Sequence, residues 1–222
     1  MRNIAIAIDG PAAAGKSTIA KKVAKHFNFV YIDTGAMYRA FTWYVIKKGV
    51  DPKNEKAANA LIPEVKIKLT NDHKVFVNDI DVSKEIREPE VSGNVSFIAS
   101  YPKIRIFLTE QQRELTNETS VVMDGRDIGT FVLPNADVKI FQTASVAIRA
   151  KSRYLENEAK GIKTTLAEIE KELAMRDHTD STRAMAPLRQ AEDAIAVDTD
   201  YLTIDQVVEV IVNIVNNKLG VK

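Results

Sequence analysis

Eight consecutive residues, Gly10-Pro11-Ala12-Ala13-Ala14-Gly15-Lys16-Ser17, fit the pattern G-x-x-x-x-G-K-[ST]. An apolar run, Ile4 to Ile8, precedes them and an amphipathic stretch follows. That strand–loop–helix frame turns backbone N–H groups inward as an anion nest and adds the positive end of a helix dipole. Lys16 is placed to reach β- and γ-phosphates, and the Ser17 hydroxyl to ligate Mg²⁺. Gly10, Pro11, Ala12, Ala13, Ala14, Gly15, Lys16, Ser17 and Thr18 are therefore the expected ATP-binding residues. A second apolar run ends in an acid, Val121-Val122-Met123-Asp124, which suits a direct or water-mediated Mg²⁺ contact; Ser17 and Asp124 form the expected metal pair.

Arginines supply the remaining chemistry. Arg39 follows Asp33-Thr34-Gly35, Arg105 follows Tyr101-Pro102, and Arg126 sits in Asp124-Gly125-Arg126-Asp127. Arg149 and Arg153 are four apart on one helix face, and Arg176 and Arg183 bracket Asp177 and Asp180. A planar guanidinium grips phosphate through two bonds. His26, His73 and His178 share no frame that would make a general base. An acceptor that is itself a phosphate needs none, since its oxygen is already ionised near neutral pH. Two phosphorylated substrates would bring several negative charges together, and transfer between them depends on positioning and neutralisation. The arginines thus favour a nucleotide-phosphate acceptor over the sugar or alcohol of a shikimate- or gluconate-type kinase. The intact Lys16 and Ser17 favour turnover over a non-enzymatic nucleotide sensor or nucleic-acid-binding P-loop protein, and the lack of a basic bias weighs against that class.

The elements that must hold these residues read as α/β. Five short apolar runs, Ile4–Ile8, Phe29–Ile32, Ser120–Met123, Val138–Phe141 and Ala194–Val197, lack polar alternation, as strands covered on both faces do. Helical patterns occupy Lys16–Phe27, Gly35–Lys48, Glu90–Ser100, Val146–Lys160, Leu166–His178 and Thr203–Lys218. The alternation predicts a five-stranded parallel sheet flanked by helices. Between them, Val65, Ile67 and Leu69, then Val75 and Val77, then Ile80 and Val82 alternate with polar residues around turns at Thr70-Asn71-Asp72 and Asn78-Asp79, which predicts a small antiparallel meander. The expected division is a core of 1–59 and 96–222, with a helical lid at about 149–176, and an inserted subdomain at 60–95; the Lys160-Gly161-Ile162 break between two helices reads either as the lid turn or as a simple inter-helix loop.

Composition bounds the rest. The 222 residues carry 31 basic and 30 acidic side chains, a formal net charge of +1, and no cysteine. Disulfides, thiolate metal sites and cysteine nucleophiles are excluded, and the charge balance argues against a nucleic-acid or membrane binder. No run approaches the roughly 18 apolar residues of a membrane span, and Ile4–Ile8 is too short for a signal-peptide core. A cytoplasmic monomer is expected.

The whole chain resembles the bacterial cytidylate kinase family. The likeness rests on Ile8-Asp9-Gly10-Pro11 with the loop, Asp33-Thr34-Gly35-Ala36-Met37-Tyr38-Arg39, Asp124-Gly125-Arg126-Asp127-Ile128-Gly129-Thr130, and the run from Arg176-Asp177-His178-Thr179-Asp180 through Arg183-Ala184-Met185-Ala186-Pro187-Leu188. It implies Mg²⁺-dependent phosphoryl transfer from ATP to CMP or dCMP. By resemblance, Ser96, Arg105 and Asp127 read cytosine, Arg176 and Asp180 contact the pentose, Arg39, Arg126 and Arg183 hold the monophosphate, and Thr34 is a further CMP-binding residue. Arg149 and Arg153 look like lid arginines that approach the transferring group, so that Lys16, Arg126, Arg149, Arg153 and Arg183 form the catalytic set. Ala13 and Ala14 depart from the Ser or Gly common in the family, and Thr34 stands where Ser is frequent. Each alanine keeps its N–H, so the nest survives if the local dihedrals suit alanine.

Overall fold

The computed structural model describes residues 2–70, 72–159 and 161–220. Asn71 of the expected meander turn, and Lys160 of the expected inter-helix break and helix end, lie outside these. The chain divides into two compact units, one running to Tyr31 and again from Ser120, the other Ile32–Thr119.

The expected sheet forms, and all of it but Ile32 and Asp33 belongs to the first unit. Strands β1 (Ala5–Asp9), β2 (Val30–Asp33), β6 (Val121–Gly125), β7 (Val138–Thr143) and β8 (Ile195–Asp198) lie in the order β2-β6-β1-β7-β8. β1 pairs in parallel with β6 and β7, and β7 with β8. Each strand falls within two residues of its expected position, because continuous apolar runs leave no ambiguity about which residues enter the sheet. Helices α1 (Lys16–Phe27) and α8 (Ile204–Leu219) cover the sheet through a core that includes Ile6, Ile8, Ile19, Val23, Val122, Ile140, Val207 and Ile211. α1 ends where Asn28 turns left-handed at φ 55° and donates to the last carbonyls. α8 opens with a capping box between Thr203 and Gln206 and closes at left-handed Gly220. α6 (Val146–Ala159) and α7 (Leu166–Thr182) complete this unit, and Ala150, Ile169 and Leu173 pack with Ala12 of the loop. α7 runs four residues beyond the expected His178, because Thr179, Ser181 and Thr182 bond back to carbonyls one turn earlier instead of leaving the helix.

The second unit holds α2 (Thr34–Lys47), α3 (Glu55–Ala60), α4 (Pro89–Ser100), α5 (Pro102–Glu118) and the antiparallel meander of β3 (Ile67–Leu69), β4 (Val75–Val77) and β5 (Ile80–Asp81). The register Ile67↔Val77 and Leu69↔Val75 puts the alternating apolar residues on one face. This unit is wider than the expected 60–95. Phe41 and Tyr44 of α2, Val75 and Val77 of the meander, Ile98 of α4 and Ile104 and Leu108 of α5 share one apolar cluster, so the meander folds with the helices on either side of it. α5 has no counterpart among the expected elements. Its buried face carries Arg105, Thr109 and Gln112 beside Ile104 and Leu108, and those polar residues blur the apolar periodicity. Pro102 restricts Tyr101 to extended backbone, which separates α4 from α5.

No described helix is long and apolar enough to cross a membrane. Ile211 of α8 is fully buried while its neighbour Val210 is 37% exposed. Ile211→Ala is expected to cost about 2–5 kcal/mol in urea unfolding, and Val210→Ala no more than about 0.5 kcal/mol.

Candidate active site

The loop after β1 is held in shape by the carboxyl ends of the neighbouring strands. Gly10 has φ 152°, and a Cβ there would fall 2.0 Å from the Gln142 carbonyl oxygen of β7, so only glycine fits. The Gln142 side-chain amide, also buried, donates to the Ala14 carbonyl. Gly15 turns left-handed at φ 78° as the N-cap of α1, and its carbonyl accepts from Thr18 and Ile19. Ala13 takes φ 58°. The nest thus demands a left-handed dihedral at the position where this chain carries alanine, at a cost of about 1–2 kcal/mol.

Lys16 is 4% exposed and its ammonium donates to the Pro11 carbonyl at 2.6 Å. Burial first, and then the Arg126 charge, push its pKa well below the ordinary lysine value, against the attraction of Asp124, Asp9 and Asp180. An ammonium in that condition is a receptor for further negative charge. Ser17 Oγ donates to Asp124 Oδ2 at 2.8 Å, and the Tyr31 hydroxyl donates to Asp124 Oδ1 at 2.7 Å. The two residues expected to hold Mg²⁺ therefore meet. A hydroxyl and a carboxylate are hard oxygen donors, and Mg²⁺ commonly takes one or two protein ligands and completes its shell with phosphates and water. Among the described residues no group of three or more His, Asp or Glu side chains could hold a metal by itself.

A second cluster gathers Arg126, Asp127, Asp180 and Arg183. Arg126 Nε donates to Asp180 Oδ2 at 2.9 Å, Arg183 Nη2 lies 3.2 Å from Asp127 Oδ1, and Arg183 Nη1 lies 3.9 Å from Asp180 Oδ1. The Ala186 carbonyl accepts from Arg183 Nε at 2.8 Å and Nη2 at 2.5 Å, which fixes the plane of the guanidinium. Burial would raise the Asp180 pKa, but Arg126, Arg176 and Arg183 outweigh it and hold the carboxyl below its usual range. Arg176 is one turn before Asp180 on α7.

Arg149 is 4% exposed and engaged with the loop. It donates to the Ala144 carbonyl at 2.8 Å and the Ala12 carbonyl at 2.9 Å, and pairs with Asp177 at 2.7 Å. Asp177 in turn accepts from the Ala12 N–H at 3.3 Å. Arg153, its expected companion, is exposed and lies 3.8 Å from Glu156.

The second unit carries its own candidates. Asp33 caps α2 by accepting from the Ala36 N–H, and it pairs with Arg39 at 3.1 Å and Arg87 at 3.6 Å. Thr34 is buried as the first residue of α2. Ser96 is half-buried on α4. Arg105 is fully buried, donates to the Ala99 carbonyl at 2.8 Å, and lies 5.3 Å over the Tyr38 ring.

Sequence reasoning missed the roles of Asp9, Tyr31, Gln142 and Asp177. Asp9 carried a signal, as an acid at the end of an apolar strand directly before the loop. It accepts from the Ile128 and Gly129 N–H groups, each at 2.8 Å. Burial, opposed by those bonds, raises its pKa to about 7. Gln142 carried none, since only its place on the adjacent strand gives it a part.

The description of the family model that matches residues 6–217 is cytidylate kinase. A cytidylate kinase of Lactiplantibacillus plantarum is 53% identical over 216 residues, covering 96% of this chain and 95% of that one. One from Oceanobacillus iheyensis is 52% identical over 215 residues, covering 96% and 94%. Among solved structures, an uncharacterized protein from Eubacterium ventriosum covers 97% of this chain and 99% of its own at 15% identity and a TM-score of 0.53, a likeness of fold alone.

Two measurements check this geometry. Ala13→Gly relieves the left-handed alanine and is expected to raise the unfolding free energy in urea by up to about 1 kcal/mol. Because folding raises the Asp9 pKa from 3.8 to about 7, its stabilising share is complete below pH 4 and lost as pH rises through about 7. The Tm difference between the parent and Asp9→Asn should therefore move against the parent between pH 4 and 8. A constant difference would show that Asp9 titrates normally.

Proposed function

Because the chain belongs to the cytidylate kinase family, we propose that it transfers the γ-phosphoryl group of ATP to CMP or dCMP, giving ADP and CDP or dCDP. The observation that carries the reading is the buried Lys16 ammonium at the start of α1, bonded to the Pro11 carbonyl of the loop, with a cluster of guanidinium and carboxylate groups at Arg126, Asp127, Asp180 and Arg183.

Gly10 to Thr18 hold the ATP phosphates, with Lys16 on the β- and γ-oxygens. Ser17 and Asp124 would hold Mg²⁺, which when bound neutralises phosphate charge and orients the polyphosphate chain. Arg39, Arg126 and Arg183 hold the acceptor monophosphate, Arg176 and Asp180 its pentose, and Thr34 is a further CMP-binding residue. Ser96, Arg105 and Asp127 read the base. A carboxylate accepts from the exocyclic amine of cytosine, and uracil presents a carbonyl there, so its acceptance costs a hydrogen bond and adds repulsion. Charge-assisted contacts of this kind contribute about 1.5–3 kcal/mol each.

The acceptor oxygen is ionised and needs no base; catalysis consists of alignment and charge compensation. Arg149 anchors the loop at the Ala12 carbonyl and is proposed, with Arg153, to meet the developing charge on the transferring group. The helical segment at about 149–176 is proposed to close over the nucleotides and exclude water, a competing acceptor. The enzyme is taken to be a cytoplasmic monomer.

A coupled assay of ADP release over CMP, dCMP, UMP, AMP and shikimate tests the assignment. CMP and dCMP should lead, and turnover of shikimate alone would overturn it. Lys16→Ala should keep the fold and lose at least about 100-fold in kcat, and near-normal kcat would remove Lys16 from the chemistry.

A further inference from the structure

Asp127 occupies the N-cap position of a short π-helical turn, Ile128–Val132, whose carbonyl–amide ladder starts at the Asp127 carbonyl. An aspartate at that position ordinarily turns its own carboxylate onto the first N–H groups of the turn. Here it makes no such capping bond. The two N–H groups that follow it, Ile128 and Gly129, are instead taken one each by the two carboxylate oxygens of Asp9, at 2.8 Å, from a strand 119 and 120 residues away in sequence. A Cβ on Gly129 would meet the Lys139 side chain at 3.1 Å and lie in ordinary contact with Asp9 Oδ2 at 3.4 Å, so the clasp is packed closely on this residue. With the turn already capped, the Asp127 carboxylate points to Arg183, 3.2 Å away.

We propose that Asp9 is a positioning residue for acceptor selection: by capping the Ile128–Val132 turn in place of Asp127, it keeps the Asp127 carboxylate directed at Arg183 and the acceptor. This rests on the reading of Asp127 as a base-recognition residue. The nucleotide loop follows Asp9 directly, so the same carboxylate ties the end of the donor-binding strand to the acceptor-reading segment. Without it, Asp127 has two uncapped N–H groups within reach of its own side chain and a local reason to fold back.

Asp9→Asn is the informative change. Its shape is kept, but its amide N–H₂ must face one of the two backbone N–H donors. Asp9→Ser, too short to reach both amides, serves as a second variant should the first fail to fold; thermal melts report on folding for each. Assays run at pH 8, where the parent carboxyl is mostly ionised. The KM for CMP should rise about tenfold, the KM for ATP should change less than twofold, and the CMP/UMP ratio of kcat/KM should fall toward that of Asp127→Asn. Asp9→Asn added to Asp127→Asn should lower that ratio no further. Equal rises in both KM values, an unchanged KM for CMP, or a multiplicative loss in the double variant would each overturn the proposal. A crystal structure of Asp9→Asn reads the positioning directly. Asp127 bonded to the Ile128 or Gly129 N–H is the expected result, and an intact Asp127–Arg183 pair overturns it. If Asp127→Asn alone leaves the CMP/UMP ratio unchanged, the base-recognition reading fails, and that crystal structure still decides whether Asp9 positions Asp127.

Discussion

A lysine ammonium held out of water, bonded to a backbone carbonyl rather than a carboxylate, is the feature on which the rest of this molecule turns. Lys16 is buried beside another cation, Arg126, and burial and that charge lower its pKa against the pull of Asp124, Asp9 and Asp180. The surrounding N–H groups and the start of α1 carry the same polarity. On the proposed function, it is the ATP polyphosphate that answers this polarity. The cation is kept within reach by the Pro11 carbonyl, so little reorganisation is left for the moment of binding.

That arrangement has to be kept rigid by the sheet. The loop leaves the carboxyl end of β1, where open parallel sheets place their ligands. Each neighbour contributes a brace. β7 offers Gln142, whose backbone forbids a side chain at Gly10 and whose amide ties Ala14. β6 offers Asp124, shared by Ser17 and Tyr31. α6 and α7 offer Arg149 and Asp177, which take the carbonyl and the N–H of Ala12. Charged side chains thus act on the backbone of the loop, which in turn is proposed to hold phosphate. The left-handed Ala13 shows that these braces override a local backbone preference.

The parallel sheet was readable because its strands are uninterrupted apolar runs, and the phosphate loop because its glycines and lysine have one physical use in that frame. The antiparallel meander was readable from strict alternation at Val65, Ile67, Leu69, Val75 and Val77. α5 was not, because Arg105, Thr109 and Gln112 sit on its buried face and mimic a solvent face in the sequence. The second unit is wider than its meander for the same reason: helix-to-sheet packing decides its limits, and packing partners leave no mark at fixed spacing. At the site, Ser17 and Asp124 were paired by reasoning from chemistry and the fold brings them together. Asp9 stood out as an acid closing an apolar strand, but its partners Ile128 and Gly129, more than a hundred residues away, left no mark in the sequence. Arg149 could be seen as a functional arginine, but not that its guanidinium lies against the loop backbone.

The most direct measurement is the pKa of Lys16 itself, followed by NMR of the labelled side-chain carbon next to its ammonium, with and without ATP. An ammonium desolvated in wait for an anion predicts a pKa well below that of the surface lysines in the apoprotein and a clear rise when ATP is bound. The same pKa in both states, close to that of an exposed lysine, would contradict it.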